Sequence, residues 1–155
     1  LMRSSAASDV YKRQLLDSLN KRIKFLDEVI RQTSLKNIET LHGRAEDYAK
    51  NRDYREKFDV CVSRAVANLS TLSEYCIPYV KVGGCFIAYK AGQLDEELKS
   101  AERAVKLLGG EIADVHKLTL PDTDIDRTFV VIKKTAATSK KYPRKAGLPA
   151  KEPLQ

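Results

Sequence analysis

Three stretches of this chain end an apolar run on side chains that can bind a ligand. They are Leu15-Leu16-Asp17-Ser18, the run Ile38–His42 followed by Gly43-Arg44-Ala45-Glu46, and FDVCVSRAVA from Phe58 to Ala67, which breaks at Ser63-Arg64. In an open α/β sheet, ligands bind outside the carboxyl ends of the strands, so polar residues just past a hydrophobic strand are candidates for chemistry. A carboxylate such as Asp17 accepts two hydrogen bonds at once and suits the paired hydroxyls of a nucleoside ribose. Glu46 then lies beside an adenine, with Ala45 leaving room for the flat ring, and Arg64 is the charged tip of the third strand. The three ends are expected to open onto one crevice shaped for a nucleoside. A plainer role competes at Asp17 and Glu46, because acidic residues at the start of a helix are favoured by its dipole.

The elements that must hold these residues follow from periodicity. Leu19, Ile23, Leu26, Val29 and Ile30 recur at steps of three and four, so a helix begins after Ser18 and fades near Thr33. Ile38–His42 is a strand, and Gly43-Arg44 turns it into a short helix opened by Ala45, Glu46 and Asp47. Lys50–Lys57 reads as a surface connection. In FDVCVSR, Phe58, Val60 and Val62 alternate with Asp59 and Cys61, the pattern of a buried strand. Leu69, Leu72, Tyr75 and Cys76 mark a helix ending near Pro78. Gly83-Gly84 is a turn into the strand Cys85–Lys90, and no helix follows the glycines directly, so they are not a phosphate cradle. A stripe of Leu94, Leu98, Ala101, Val105 and Leu108 predicts another helix stopped by Gly109-Gly110. Strands near 111–118 and 128–133, joined by a polar loop, complete the order. His42 and His116 lack partner motifs and are expected to be structural.

Composition sets the outer limits. One domain of 155 residues, with 43% apolar and 32% charged residues, is ordinary for a globular protein. No apolar run reaches the roughly 20 residues that span a bilayer, and no secretion signal is evident, so a cytoplasmic location is expected. Cys61, Cys76 and Cys85 are widely spaced and odd in number, which indicates neither a disulfide framework nor a metal site. The net charge of +7 is concentrated at the ends, with +2 in residues 1–13 and +4 in residues 138–155. A near-neutral body with a basic tail suggests a polyanion, and RNA fits best. Lys140, Lys141, Arg144 and Lys145 can neutralise phosphates, while Tyr142 between them can stack on a base. The same tail can instead wrap back over the sheet.

Strand and helix alternate through most of the chain and two strands come together at its end, which predicts a mostly parallel α/β sheet with one antiparallel C-terminal strand. LLDSLNKR, HGRAED, FDVCVSRAVA, GGCFIAYKAG and the closing KKYPRKAGLPAKEPL together resemble the ribosomal small subunit methyltransferase G family, also called glucose-inhibited division protein B. The likeness runs from about Leu15 to Leu154, and KYPRKAGLP is its most diagnostic part. It implies a Rossmann-like class I methyltransferase sheet, truncated before its second strand. It further implies S-adenosylmethionine-dependent methylation of guanine N7 in 16S ribosomal RNA, with that RNA or the small ribosomal subunit particle as partner and a monomer as the working form. By the family pattern Ala45 and Glu46 lie against the cofactor's adenosine, Arg64 belongs to its cleft, and Asp17 is the ribose-side strand end. No catalytic residue is assigned. Lys90, Arg144 and Lys145 are further candidates for holding the RNA or the cofactor carboxylate.

The resemblance also implies a glycine-rich loop ahead of Asp17, and residues 1–13 contain no glycine. That leader resembles translated adapter sequence, leaving 14–137 as the methyltransferase domain and 138–155 as a basic tail. Weak or absent cofactor binding by the chain alone, and low stability, are the expectations. Two other readings use the same features: an RNA-binding module without catalysis, and a nicotinamide-dependent dehydrogenase in which Asp17 meets the nucleotide ribose.

Overall fold

A computed structural model describes residues 12–64, 67–91 and 94–155. The chain divides into two compact units, residues 1–45 and 46–155.

The first unit contains β1 (Arg13–Asp17), α1 (Asn20–Thr33) and β2 (Ile38–His42). The two strands are parallel, with Leu16 opposite Leu41 and Asp17 opposite His42. A parallel pair needs a crossover, which α1 provides. No side chain of Leu19, the residue before the helix, caps it. Asp17 does that work, accepting the Leu19 N–H at 2.8 Å and the Arg22 guanidinium at 3.2 Å. One carboxylate therefore ends the strand and starts the helix. Arg13, assigned to the leader from sequence, lies in β1 opposite Ile38, so the strand starts before the expected boundary. Lys12 is described too, its ammonium 3.9 Å from the Glu39 carboxylate, and residues 1–11 of the leader lie outside the described residues.

Beyond α2 (Ala45–Tyr48), which spans the division, the second unit contains β3 (Phe58–Arg64), α3 (Leu69–Cys76), β4 (Val80–Lys90), α4 (Asp95–Leu107), β5 (Gly110–Thr119), β6 (Asp126–Lys134) and α5 (Leu148–Lys151). The strand order is β3-β4-β6-β5. β3 and β4 are parallel, and β6 runs against both β4 and β5. A single reversed strand in an otherwise unidirectional sheet is what the closely spaced final strands predicted.

The glycine pair departs from the expected simple turn. β4 runs on through Gly83-Gly84, but five steps along β4, from Val80 to Cys85, face only two along β3, from Phe58 to Val60. Gly83 takes φ +91°, and a Cβ on Gly84 would run into the Asp59 carbonyl. Regular pairing on both sides of β4 starts only at Cys85. The predicted strand is thus the doubly paired part of a longer one.

Register assigns side chains to faces, since residues directly opposite share a face and neighbours along a strand alternate. Phe86, Ala88, Val130 and Ile132 face the core with Leu69, Leu72, Ile77, Val105 and Leu108. Cys61 packs against this cluster, and Val60 and Val62 point the other way, 50% and 59% exposed. The valines of β3 were expected to be buried. Among the described residues their face is open, and the covered face of β3 carries Cys61 and Ser63.

Nearly every residue of α3 is buried, from Leu69 to Glu74 and again at Cys76. Its N-terminus is capped by Asn68, whose side chain accepts the Thr71 N–H at 2.8 Å. Glu74 is 0% exposed. An isolated carboxylate there would be very costly, and Arg144 neutralises it. Its backbone N–H donates to Glu74 at 2.7 Å, and its guanidinium donates to both oxygens at 2.8–3.1 Å. That pairing raises the pKa of Arg144. The C-terminal segment is thereby a strap over α3, where the packing alternative for the tail had placed it over the sheet. The Thr71 hydroxyl donates to the Pro149 carbonyl at 3.0 Å.

A second set of buried charges holds the start of the strap. The Lys134 ammonium reaches the Ile77 carbonyl at 3.0 Å, the Glu56 carboxylate at 3.2 Å and the Thr138 hydroxyl. Burial lowers the Lys134 pKa, and Glu56 opposes the shift. Arg55 donates to the carbonyls of Ala49, Thr138, Ser139 and Tyr142. Residues 50–57, expected to be a mere surface connection, thus supply two of the strap's anchors.

Three outcomes follow. Arg144→Met should lower the unfolding free energy by roughly 3–5 kcal/mol, because Glu74 is left buried and unpaired; urea denaturation checks this, and a loss below about 1 kcal/mol contradicts it. Gly109→Ala should cost about 1–3 kcal/mol by the same assay, because Gly109 sits at φ +85° and a Cβ would overlap the Ala136 carbonyl. The bond from Leu19 N–H, then the Arg22 guanidinium, lowers the Asp17 pKa. Its contribution to stability is then complete above about pH 4 and disappears as pH falls through the lower folded value. A carboxyl-carbon NMR titration of Asp17 should give a midpoint below about 3.9, and a midpoint above that refutes the capping role.

Candidate functional site

Asp17 stands at the carboxyl end of β1. Its carboxylate spends one oxygen on the Leu19 N–H and the other on Arg22. A carboxylate has about four acceptor positions, so two remain for a ligand. This fits the two hydroxyls of a ribose. The turn beyond β2 is tied to the same strand end, with Gly43 N–H donating to the Asp17 carbonyl at 3.0 Å. The His42 ring lies 3.2 Å from the Ser18 carbonyl, the structural position expected for it. Ala45, where this unit ends, is the first residue of α2.

The second unit carries the other candidates. Glu46 is 5% exposed and its Oε1 accepts the Gly147 N–H at 2.8 Å. One oxygen of this carboxylate is thus held by the strap. Arg64 ends β3 and is exposed. It stands in register with Tyr89, whose ring packs on Phe129 with centroids 4.8 Å apart. A cation beside an aromatic pair at the carboxyl end of a parallel strand is suited to an anionic or flat ligand.

Lys90, one residue further along β4, points to the covered face. Its ammonium donates to the Ala67 carbonyl at 2.9 Å and pairs with Glu97 at 2.6 Å. Glu97 also accepts the Leu69 N–H at 2.6 Å. Lys90 therefore laces the end of β4 to the starts of α3 and α4, and the ligand role suggested for it does not fit.

The tail residues separate by direction. Tyr142 is 7% exposed and belongs to the core cluster, so its ring is not presented to a base. Arg144 is committed to Glu74 and to the Glu152 carbonyl, the latter at 2.7 Å. Lys140, Lys141 and Lys145 are exposed, as a phosphate-facing role requires. Sequence reasoning missed Glu46's link to Gly147 and the anchoring roles of Arg55, Glu56, Glu74 and Lys134. The signal available for Glu74 was a lone acid in the otherwise uncharged helix LSTLSEYC.

Cys61, Cys76 and Cys85 are all free thiols. A hydrogen bond from Cys61, then burial, raises the Cys76 pKa, so that thiol is inert packing. Among the described residues no cluster of three or more His, Cys, Asp or Glu could hold a metal, and no helix is long and apolar enough to cross a membrane.

The model of the family described as rRNA small subunit methyltransferase G matches residues 5–129. The ribosomal RNA small subunit methyltransferase G of Lachnoclostridium phytofermentans is 56% identical over 140 residues, which cover 90% of this chain and 58% of that protein. The protein of the same name from Clostridium tetani is 52% identical over 141 residues, covering 91% and 59%. The chain therefore spans about 58% of the length of these relatives. Among solved structures, a putative methyltransferase from Thermoplasma acidophilum aligns over 82% of this chain and 59% of its own, with TM-score 0.61 and 11% identity. An rRNA methylase from Streptococcus thermophilus aligns over 81% and 74%, with TM-score 0.57 and 12% identity. These structural likenesses establish the methyltransferase-type α/β fold. On the family match, the chain belongs to the rRNA small subunit methyltransferase G family.

Proposed function

We propose that this chain forms the greater part of an S-adenosylmethionine-dependent methyltransferase acting on guanine N7 of 16S ribosomal RNA. The observation that carries the reading is the family match over residues 5–129. Asp17 would hold the cofactor's ribose through its two unfilled acceptor positions, Ala45 and Glu46 would lie against the adenosine, and Arg64 would line the cleft. The cofactor, when bound, supplies an electrophilic methyl group on a sulfonium.

What the chain's own residues must do is modest in proton chemistry. Guanine N7 carries a free lone pair and no proton at neutral pH, so no residue has to act as a base there. Positioning and electrostatics do the work. Arg64, exposed at the end of β3, is placed to attract an anionic group, and the exposed Lys140, Lys141 and Lys145 to meet RNA phosphates. The partner would be 16S ribosomal RNA or the small subunit particle, the enzyme a monomer, and the compartment the cytoplasm.

A second reading, RNA binding without methyl transfer, draws on the same exposed lysines. The dehydrogenase reading falls with the family assignment. Labelled methyl transfer to 16S ribosomal RNA, by protein of the full family length carrying these residues, separates the two that remain. Incorporation into guanine supports methylation, and RNA binding without incorporation supports the alternative. In that protein Asp17→Asn should raise the cofactor KM by roughly 10- to 100-fold, the loss expected of charge-assisted hydrogen bonds worth about 1.5–3 kcal/mol. An unchanged KM would remove Asp17 from the site.

A further inference from the structure

The strap from Thr138 onward carries lysines that face outward and anchors that face inward, and their alternation makes a built feature between 144 and 151. Arg144 is bolted to Glu74, the Gly147 N–H to Glu46, and the Pro149 carbonyl to Thr71. Internal bonds tighten the same turn: Leu148 N–H to the Lys145 carbonyl at 3.0 Å, and Lys151 N–H to the Gly147 carbonyl at 3.3 Å. The result is a recess of about 360 Å³ walled by Lys145, Ala146, Gly147, Leu148 and Lys151. Both lysines are exposed, and no carboxylate is among the walls. Glu152, the only acid in residues 138–155, is not a lining residue.

Two lysines among the walls of a recess whose lining holds no acid favour an anion with several acceptor oxygens; the Glu46 carboxylate that accepts the Gly147 N–H is buried behind the wall. The Ala146 and Leu148 walls offer apolar surface for a sugar beside it. Pinning positions 144, 147 and 149 to buried partners means that much of the cost of ordering this turn is met in folding rather than in binding. We infer that this recess is a phosphodiester site for RNA, formed by Lys145 and Lys151 and held in shape by the Glu46–Gly147 bond. The inference rests on the RNA reading above and narrows it from a generally basic tail to one place. It also gives Glu46 a positioning role in RNA contact that is separate from any contact with a nucleoside.

The test compares two charge-matched double substitutions in the same strap. Lys145→Gln with Lys151→Gln removes the recess charges. Lys140→Gln with Lys141→Gln removes the same net charge outside it. Affinity for a fluorescein-labelled hairpin of 16S ribosomal RNA is measured by anisotropy against salt concentration. All four lysines are exposed, and equal melting temperatures will show that the fold is kept. The recess pair should weaken binding about five- to tenfold more than the control pair and flatten the log–log salt slope by about 1.5. Equal losses in the two variants would overturn the recess while leaving RNA binding intact. No RNA binding by the unsubstituted chain would sink the RNA reading and the recess with it. Titration with inorganic phosphate, followed at the Gly147 and Leu148 amide NMR signals, distinguishes the source of the anion. Saturation only above about tenfold the phosphate concentration reached by the RNA supports a phosphodiester in RNA, and saturation at equal or lower concentration by free phosphate overturns it.

Discussion

A carboxylate with no access to water must be neutralised by something that the fold brings to it, and at Glu74 that something is the far end of the chain. Arg144 lies 70 residues away and reaches both carboxylate oxygens as well as giving its own backbone N–H. The attraction between the buried carboxylate and its partly buried guanidinium does little more than repay the desolvation, so the pair is not a reservoir of stability. Without the Arg144 guanidinium Glu74 would be a buried charge with no counter-ion, and with it the tail is tied to α3. The other buried polar groups obey the same logic. Lys134 with Glu56, and Arg55 with four carbonyls, close the path that the strap takes from β6 to α3.

This constraint changes what the positive charge of the tail means. Counted along the sequence, residues 138–155 carry five cations and one acid. One of those cations is spent on Glu74, and the tyrosine among them is core. The field presented to solvent comes from Lys140, Lys141, Lys145 and Lys151, all exposed. A rigid backbone spaces them, whereas a free tail would let them spread and be screened separately.

Element types and order were legible because each rests on local periodicity. The stripe of Leu94, Leu98, Ala101, Val105 and Leu108 is α4, and the close spacing of the last two strands did announce the reversed β6. The strand ends bearing Asp17 and Arg64 were legible for the same reason. What stayed hidden depends on contacts far apart in sequence. Nothing near KYPRK says that Arg144 turns inward and Lys145 outward, because the partner that decides it is Glu74. Likewise Arg55 and Glu56 sit in a stretch so polar that surface was the natural expectation, and only Thr138 and Tyr142 give them their role.

Sheet parity sorts the remaining charges, and it does so without reference to any ligand. In β4 and β6 the even-numbered positions from Phe86 to Lys90 and from Thr128 to Lys134 face the helices. Lys90 and Lys134 therefore arrive on a covered face, where an unpaired ammonium is too costly to persist. Each has acquired a carboxylate and at least one carbonyl. Arg64 lies opposite Tyr89, on the other face, where Val60 and Val62 are also exposed. No desolvation forces a partner on it. Of the basic residues near the ends of these strands, the ones that folding had to neutralise are structural, and Arg64 is left on the exposed face.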